Sequence, residues 1–141
     1  MDIDARLRTE AICTRLIQAF AYNVDHRNYE DLLALFTEDG IFSRRIGELR
    51  GISQIRDFMF SRSETHQTRH LCLTTHFTAV GEEEAKSVTY FTIYAGEGAE
   101  EGVLKSTGSE GLAEYHDTFR KVGDEWRIAE RRVQPVFTIP G

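Results

Sequence analysis

The chain has 141 residues, which is enough for one domain and too few for two of ordinary size. Its 17 basic and 23 acidic residues give a net charge of −6, which argues against a general nucleic-acid binder and against attraction to an anionic membrane surface. Hydrophobic residues make up 40% and aromatic residues 11% of the sequence, a composition typical of a globular domain with its own core rather than of a disordered chain.

The cysteine content and the N-terminal segment both favour a soluble cytoplasmic protein. The two cysteines, Cys13 and Cys72, are too few for the disulfide framework of a small secreted scaffold, so we expect them to be reduced. The first residues mix acidic and basic side chains and lack the apolar run of a signal peptide. No stretch of the sequence approaches the roughly 20 apolar residues that are needed to cross a bilayer.

The pattern of apolar residues predicts three helices. Such residues recur at helical spacing over residues 4–26. A second helix is predicted over residues 29–36, with Asn28 as its N-cap and Gly40 just past its end, because its apolar side chains follow an i, i+3, i+4, i+7 pattern. A short third helix opens with Ser53 as its cap, and its buried side is formed by Ile55, Phe58 and Met59.

Most of the remaining chain predicts strands, because β-branched and aromatic residues are concentrated there. The predicted strands cover residues 41–46, 70–80, 85–95, 110–122 and 125–138. Residues 81–84 and the pair Gly123 and Asp124 predict tight turns, and the Gly-rich, acidic segment 96–109 predicts a loop. Helices followed by strands indicate an α+β fold, in which the helices pack on one face of an antiparallel sheet.

Two polar side chains are the first candidates for chemistry. Asp25 lies near the C-terminal end of the first helix, where a carboxylate opposes the helix dipole and adds nothing to helix stability. His70 opens a predicted strand, and alternation places it on one face with Cys72, Thr74 and His76. The opposite face is expected to pack on the helices, and it carries Leu71, Leu73, Thr75 and Phe77. From the residues alone, a solvated helix end and a structural histidine are the simpler interpretations.

An aspartate and a histidine that meet in an apolar cavity form a useful acid–base pair. Imidazole has an unperturbed pKa of about 6.5, which suits it to accept a proton at neutral pH. A carboxylate that accepts the ring N–H fixes the tautomer and stabilises the imidazolium that forms. Such a pair can remove a proton next to a carbonyl or a leaving group, so we expect neither a metal nor a cofactor.

Other candidate sites have weaker patterns. His66 and His70 are four residues apart but lack the HExxH pattern of a zinc site. The segment 98–107 lacks the glycine before its lysine that a phosphate loop requires, and its acidic residues would repel phosphate. Cys72 and His70 could form a nucleophilic pair, but a buried packing residue is the simpler interpretation of Cys72. The paired arginines are best explained as solvated strand faces or dimer contacts, and they are Arg44, Arg45, Arg131 and Arg132.

Three segments of the sequence resemble one protein family. The region from the first to the second helix of the SnoaL-like group, within the nuclear-transport-factor-two-like superfamily, resembles YNVDHRNYEDLLALFTEDGIF. The middle strands of that group resemble RHLCLTTHFTAVGEEEAKSVTYF, and its closing hairpin resembles EYHDTFRKVGDEWRIAERRV. The resemblance covers about residues 5–135. It implies one domain over residues 1–141, a homodimer, and a cone-like curved antiparallel sheet with three N-terminal helices packed on it, enclosing a pocket.

Within this group, Asp25 and His70 match the Asp–His dyad of scytalone dehydratase, bile-acid dehydratase and hexachlorocyclohexane dehydrochlorinase. The resemblance therefore implies that these two residues drive an elimination. Two positions depart from scytalone dehydratase, because Val24 replaces the tyrosine before the helix aspartate and residues 110–114 offer no clear match for its second histidine. The group that polarises the substrate is left open among Tyr22, Tyr90, Tyr94, Tyr115 and His116, and we expect the four tyrosines to line the substrate site.

The sequence thus predicts a small cofactor-independent lyase or isomerase. Its substrate is expected to be a small hydrophobic molecule, such as a polyketide, steroid or aromatic-degradation intermediate, with His70 as the general base and Asp25 orienting it. The alternative is a non-catalytic ligand-binding or assembly module, as in the β subunits of ring-hydroxylating dioxygenases, because one fold can host many functions. Geometry separates these hypotheses. Residues beyond hydrogen-bond distance, or facing bulk solvent, favour the module, whereas an enclosed apolar cavity with both residues on its wall favours the enzyme.

Overall fold

Three helices and six strands are present in residues 1–99 and 101–139, which are the residues that this computed structural model describes. They follow one another in the order α1 (Ile3–Asp25), α2 (Tyr29–Leu33), β1 (Phe36–Arg44), β2 (Gly47–Arg50), α3 (Ile52–Phe60), β3 (His66–Val80), β4 (Glu84–Glu97), β5 (Ser106–Val122) and β6 (Glu125–Phe137). The long strands therefore all follow the last helix, while β1 and β2 lie between α2 and α3.

The six strands form one curled, unclosed sheet in the order β2-β1-β6-β5-β4-β3. Four of its five strand pairs are antiparallel, as predicted, whereas β1 and β6 run parallel with Ile41 opposite Glu130. A parallel pair needs a long crossover, and the chain between β1 and β6 supplies it through α3 and four strands. The predicted α+β fold is confirmed.

Helix α1 begins at a side-chain cap and presents one apolar stripe. The carboxylate of Asp2 accepts a hydrogen bond from the backbone N–H of Ala5 at 2.8 Å and so satisfies a free donor of the first turn. Its buried residues recur along one side at helical spacing, and they are Thr9, Cys13, Ile17, Phe20, Ala21, Val24 and Asp25. This stripe packs across β3, and the helix agrees with the predicted range of 4–26 to within one residue at each end.

The core lies between the helices and one face of the sheet, called here the inner face and marked by the buried residues Phe42, Phe77, Ala85, Phe91, Phe119 and Ile128. Phe20 of α1 meets the rings of Phe36, Phe42 and Tyr115 edge-on, with centroids 5.5 to 6.1 Å apart. Such edge-to-face pairs add attraction beyond the burial of their area. The other side of the sheet, the outer face, carries the exposed side chains of Leu71, Leu73, Tyr90 and Tyr94.

Helix α2 is shorter than the predicted range of 29–36, which was wrong at its C-terminal end. The helix stops at Leu33, and Phe36 is the first residue of β1. Phe36 pairs with Ile128 of β6, and the N–H of Ile128 donates to the carbonyl of Leu35 at 2.7 Å. Strand pairing therefore outweighs the local helical periodicity. Asn28 precedes the helix as expected, but its side chain makes no capping hydrogen bond.

Helix α3 follows a strand that the sequence analysis missed. Residues of β2 pair with β1 in a hairpin, with Phe42 opposite Leu49. The helix then begins at Ile52 after Gly51, whose φ of 84° suits glycine, so Ser53 lies inside the helix rather than at its cap. Its buried residues are Ile55 and Met59, as predicted, and Phe58 is partly buried against the ring of Phe42.

A β-bulge in β3 changes which residues face the core. Cys72 pairs with Phe91 and Thr75 pairs with Thr89, so three steps along β3 oppose two along β4. The strict alternation assumed from the sequence fails at this point. His70 and Cys72 therefore share the inner face with Phe77. The prediction that Leu71 and Leu73 pack on the helices was wrong, because these side chains are 40% and 50% exposed.

The paired arginines also differ from the expectation of solvated strand faces or dimer contacts. Arg131 is fully buried, so it can be neither. Arg44 is partly buried, and its guanidinium lies 3.9 Å from the centroid of the Phe58 ring. Arg45 and Arg132 are exposed, as expected. Arg131 can be buried because its guanidinium pairs with the carboxylate of Asp117 on β5. No local pattern in the sequence identifies that partner.

The remaining predictions concern turns, thiols and membrane segments. Gly123 and Asp124 form the predicted tight turn between β5 and β6. The predicted loop 96–109 is shorter, because β4 extends to residue 97 and β5 begins at residue 106; residue 100 in that loop, like residues 140 and 141, lies outside the described residues.

Cys13 and Cys72 are free thiols, as expected. Within residues 1–99 and 101–139, no helix has the length and apolar character that a membrane span requires.

Candidate active site

Asp25 and His70 meet where the end of α1 crosses the edge strand β3. Asp25 is the last residue of α1 and belongs to its buried stripe, and the side chain is 5% exposed. His70 lies on the inner face of β3 and is 10% exposed. The ring atom Nδ1 of His70 lies 2.6 Å from Oδ1 of Asp25. The two residues are 45 positions apart in sequence, and the packing of α1 on β3 brings them into hydrogen-bond contact.

The carboxylate of Asp25 accepts two further hydrogen bonds. The backbone N–H of His70 donates to Oδ2 at 2.8 Å, and the hydroxyl of Thr68 donates to Oδ1 at 2.8 Å. Burial raises the pKa of Asp25, but the hydrogen bonds and charge interaction with His70 and the hydrogen bond from Thr68 outweigh it, so the pKa lies below its ordinary value. Asp25 is therefore ionised at neutral pH.

The ionised carboxylate determines the tautomer of His70. Because a carboxylate only accepts hydrogen bonds, the proton between the two side chains belongs to Nδ1 of the neutral imidazole. The other ring nitrogen, Nε2, then carries a lone pair. Among the residues that the structure describes, Nε2 has no hydrogen-bond partner. The arrangement can therefore accept a proton at Nε2 and hold the resulting imidazolium against Asp25.

Both residues line an open cleft between α1 and β3. The cleft has a volume of about 330 Å³, and its walls are formed by Gln18, Ala21, Tyr22, Asp25, His26, Arg69, His70 and Cys72. A second, largely apolar groove of about 240 Å³ has Phe91 in its wall and includes Ile93, Ala113, Val133 and Phe137. The ring of His70 is nearly parallel to that of Phe91, with centroids 6.4 Å apart. Phe91 is therefore both a neighbour of the His70 ring and part of the wall of the apolar groove.

Two of the four predicted tyrosines lie on the side of the sheet where the dyad is. Tyr22 is 61% exposed and lines the cleft beside Asp25. Tyr115 is buried, and its ring stacks on Phe91 with centroids 3.8 Å apart and an angle of 5° between the planes. Burial raises the pKa of the Tyr115 phenol, so this group stays protonated at neutral pH.

The other two tyrosines and His116 lie on the outer face, away from the dyad. Tyr94 pairs with Arg69 on the neighbouring strand and is 44% exposed. Tyr90, four residues earlier on β4, is 43% exposed. His116 contacts Glu114 at 2.9 Å on the same outer face. The structure therefore does not bring Tyr90, Tyr94 or His116 to Asp25 and His70, because alternation along β4 and β5 directs them to the opposite side of the sheet.

Two residues of this site, Thr68 and Phe91, were not predicted from the sequence. Thr68 lies two residues before His70, so strand alternation alone places it on the same face. The predicted strand began at residue 70, whereas β3 begins at His66, and this error excluded Thr68. Phe91 could have been found only from the register of β3 and β4, in which it lies opposite Cys72.

Cys72 lines the cleft two residues after His70, and its environment disfavours a nucleophilic role. Burial raises the pKa of its thiol, which keeps it protonated at neutral pH. The neighbouring charges of Asp117 and Asp25 act in the same direction, and that of Arg131 acts against it. Among the described residues there is also no group of three or more His, Cys, Asp or Glu side chains that could hold a metal ion.

Comparisons with known proteins agree with this architecture. A curated protein from Gibberella zeae, named probable cyclase FGR4, is 28% identical over 80 residues, which are 57% of this chain. The match covers 51% of FGR4, so the chain spans about half the length of that relative. What FGR4 does as a whole is therefore a statement about FGR4 only.

Two solved structures share the fold of the chain. One, from Novosphingobium aromaticivorans, is assigned provisionally as a scytalone dehydratase; it is 21% identical, covers 98% of this chain and 91% of its own, and has a TM-score of 0.82. The other, from Nostoc punctiforme, is a protein of unknown function with a cystatin-like fold; it is 21% identical, covers 90% of each chain, and has a TM-score of 0.75. At such identities the likeness demonstrates the fold alone. The model of the SnoaL-like domain matches residues 5–132, and the chain therefore belongs to the SnoaL-like domain family.

Proposed function

We propose that this protein is a cofactor-independent lyase or isomerase of the dehydratase or cyclase type, in which His70 removes a proton from a small hydrophobic substrate. The observation that carries the proposal is the buried pair of Asp25 and His70, joined at 2.6 Å, with the Nε2 lone pair left available beside a cleft. Two relatives support the reaction class, since FGR4 is named a probable cyclase and the Novosphingobium protein is provisionally a scytalone dehydratase.

The reaction begins with proton transfer to His70. In an elimination, Nε2 takes the proton, the C–H electron pair becomes the new C=C bond, and the leaving group departs with its own bonding pair. In an isomerisation, the electron pair passes to the adjacent carbonyl and the proton returns at another carbon. In both cases Asp25 stabilises the imidazolium, which then returns its proton to the leaving group, to the product or to water.

The apolar surroundings support a hydrophobic substrate. The groove beside Phe91 is lined mainly by aliphatic and aromatic side chains, and its walls include Ile93, Ala113, Val133 and Phe137. An apolar wall favours substrates with little charge, because burial of an unpaired charge is costly. Tyr22, at the rim of the cleft and 61% exposed, is the predicted tyrosine that is placed to meet a polar group of such a substrate.

The non-catalytic alternative makes a different use of the same fold. A binding or assembly module needs no ionised carboxylate held against an imidazole in a buried position, and burial of such a pair without a purpose costs stability. The contact of Asp25 with His70 therefore supports the enzyme over the module.

We also propose a homodimer formed through the outer face. Leu71, Leu73, Tyr90 and Tyr94 are exposed there on neighbouring strands, which is a pattern typical of a covered surface.

The proposal can be tested without knowing the natural substrate. A panel of small cyclic ketones and β-hydroxy ketones is incubated with the protein in D₂O, and deuterium uptake next to the carbonyl is followed by NMR. We expect uptake with the wild type and a loss of uptake with His70→Gln, while His76→Gln, which changes an exposed histidine of the same strand, keeps the wild-type rate. Equal uptake in wild type and His70→Gln contradicts the proposal.

A further inference from the structure

Arg62 joins the segment after α3 to the end of α1. Its Nη1 donates to the backbone carbonyl of Val24 at 2.9 Å and to the hydroxyl of Tyr29 at 3.0 Å. Its Nη2 lies 3.4 Å from the hydroxyl oxygen of Thr68. One guanidinium therefore contacts both the residue before Asp25 and the strand residue that donates to Asp25.

The chemical nature of Arg62 and Asp25 determines which group donates and which accepts in the hydrogen bonds of Thr68. A guanidinium only donates hydrogen bonds and an ionised carboxylate only accepts them. The single hydroxyl proton of Thr68 therefore goes to Oδ1 of Asp25, at 2.8 Å, while the hydroxyl oxygen accepts from Arg62. Arg62 thus orients the hydroxyl that supports the Asp25 carboxylate, and the hydrogen bonds run in one direction from Arg62 through Thr68 to Asp25.

The hydrogen bond from Arg62 to Val24 lies at the C-terminal end of α1, where a negative charge on Asp25 is unfavourable. The last carbonyls of a helix have no partner within the helix, and negative charge at this end is opposed by the helix dipole. Arg62 donates to the carbonyl of Val24 and brings a positive charge to this end. Its positive charge therefore lies at the end of α1 where the helix dipole opposes negative charge.

We propose that Arg62 is a positioning residue for the Asp25–His70 pair, acting through the hydroxyl of Thr68 and the carbonyl of Val24. The inference rests on the proposed function, because it assigns Arg62 to the same reaction. Arg62 is not among the residues that line the cleft, so its effect reaches the substrate only through its neighbours.

Arg27 provides a matched control. Its guanidinium also donates to the hydroxyl of Tyr29, at 3.2 Å, and to the carbonyls of Ser63 and His66, at 3.0 and 2.8 Å. It thus stabilises the same pair of connecting segments, but within the described part of the chain its guanidinium makes no hydrogen bond to Thr68 or Asp25. A merely structural role predicts similar effects for the two arginines, whereas a positioning role predicts an effect on the dyad for Arg62 alone.

The first measurement needs no substrate. The proton shared by Nδ1 of His70 and Asp25 is followed by ¹H–¹⁵N NMR in the full chain. We expect its resonance to shift or to be lost by exchange in Arg62→Met and Thr68→Val, and to persist in Arg27→Met and Thr68→Ser. A wild-type resonance in Arg62→Met overturns the inference. If Arg62→Met does not fold, Arg62→Lys and the Thr68→Val and Thr68→Ser pair decide the matter by the same criterion.

The second measurement uses deuterium uptake into an active ketone. We expect Arg62→Met to lower kcat about tenfold with little change in KM, because a misoriented general base loses part of its contribution of about 10²–10⁴-fold. The double variant Arg62→Met/Thr68→Val should be little slower than Thr68→Val alone, because the two residues act in series. Additive losses overturn the inference. Retained uptake in His70→Gln instead contradicts the proposed function, and the NMR result then still decides whether Arg62 positions the pair.

Discussion

Arg131 and Asp117 form a two-pronged ion pair in which both side chains are fully buried. Nε and Nη2 of the guanidinium donate to the two carboxylate oxygens at 2.8 and 2.9 Å. The guanidinium also lies over the rings of Tyr115, at 3.7 Å, and Phe20, at 4.5 Å. The pair thus stands directly behind the Tyr115–Phe91 stack that borders the candidate active site, with the charge of each partner balanced by the other.

Removing one partner of this pair should destabilise the protein strongly. Arg131→Met leaves Asp117 as an unpaired buried charge, and we expect a loss of about 3–5 kcal/mol in the free energy of unfolding. The double variant Arg131→Met/Asp117→Leu should recover much of this loss, because an apolar pair leaves no charge unpaired. Urea unfolding measures both values.

The neighbouring Arg132 supplies the control for this prediction. It is exposed on the outer face, so Arg132→Met should change the free energy of unfolding by no more than about 0.5 kcal/mol. A similar loss for Arg131→Met and Arg132→Met would show that burial of the ion pair contributes nothing specific.

The lowered pKa of Asp25 predicts a pH dependence of stability. The folded-state pKa lies below the ordinary value of 3.8, so the folded state favours the ionised form more than the unfolded state does. The resulting stabilisation is fully present above the unfolded-state pKa and is lost as the pH falls through the folded-state pKa. The difference in unfolding free energy between wild type and Asp25→Asn should therefore shrink as the pH is lowered below about 4. A difference that grows towards acid contradicts the shift.

The two thiols should react slowly in the native protein. Burial raises the pKa of Cys13 to about 12, with a smaller contribution from Asp117, and burial also raises that of Cys72. Since the thiolate is the reactive form, alkylation at pH 8 should proceed much faster in denaturant than in the folded state. Cys72→Ala should keep deuterium uptake, because the proposed reaction uses no thiol nucleophile. Loss of uptake in a folded Cys72→Ala variant would restore the nucleophilic hypothesis.

The proposed homodimer predicts that charge on the outer face separates the protomers. Leu73→Lys places an ammonium group at an exposed apolar position of β3, and we expect the mass from light scattering after size exclusion to fall from dimer to monomer. Ile46→Lys is the control, because Ile46 is exposed at the turn between β1 and β2. A monomeric wild type contradicts the dimer itself.

Much of the fold could be predicted because the relevant signals are local. The periodicity of α1 and the Gly123-Asp124 turn both lie within short windows, and each is found where the sequence places it. Phe36 was wrongly assigned to a helix and Leu71 to the helix-packed face, because pairing with distant strands determines the structure at both residues. Phe36 is recruited into β1 by β6, and a bulge between β3 and β4 reverses the alternation that Leu71 was assumed to follow.

The residues of the candidate site also fall into those that the sequence indicated and those that only the folded structure reveals. Asp25 and His70 were candidates from their positions, the family resemblance implied that they form a pair, and their contact follows from packing of α1 on β3. Arg62 had no signal in the sequence, since its partners Val24 and Thr68 are 38 and 6 residues away and its role depends on how three segments meet. Arg131 was misassigned for the same reason, because its partner is on another strand.

The central claim is that His70 is the general base, and one kinetic comparison tests it most directly. On a ketone or β-hydroxy ketone that the wild type turns over, kcat of His70→Gln is measured alongside the midpoint of thermal unfolding. We predict that kcat falls by about 10²–10⁴-fold, which is the contribution typical of a positioned general base. We also predict that the variant still unfolds with a thermal midpoint, which shows that it is folded at the assay temperature. A His70→Gln variant that keeps the wild-type kcat would contradict the account.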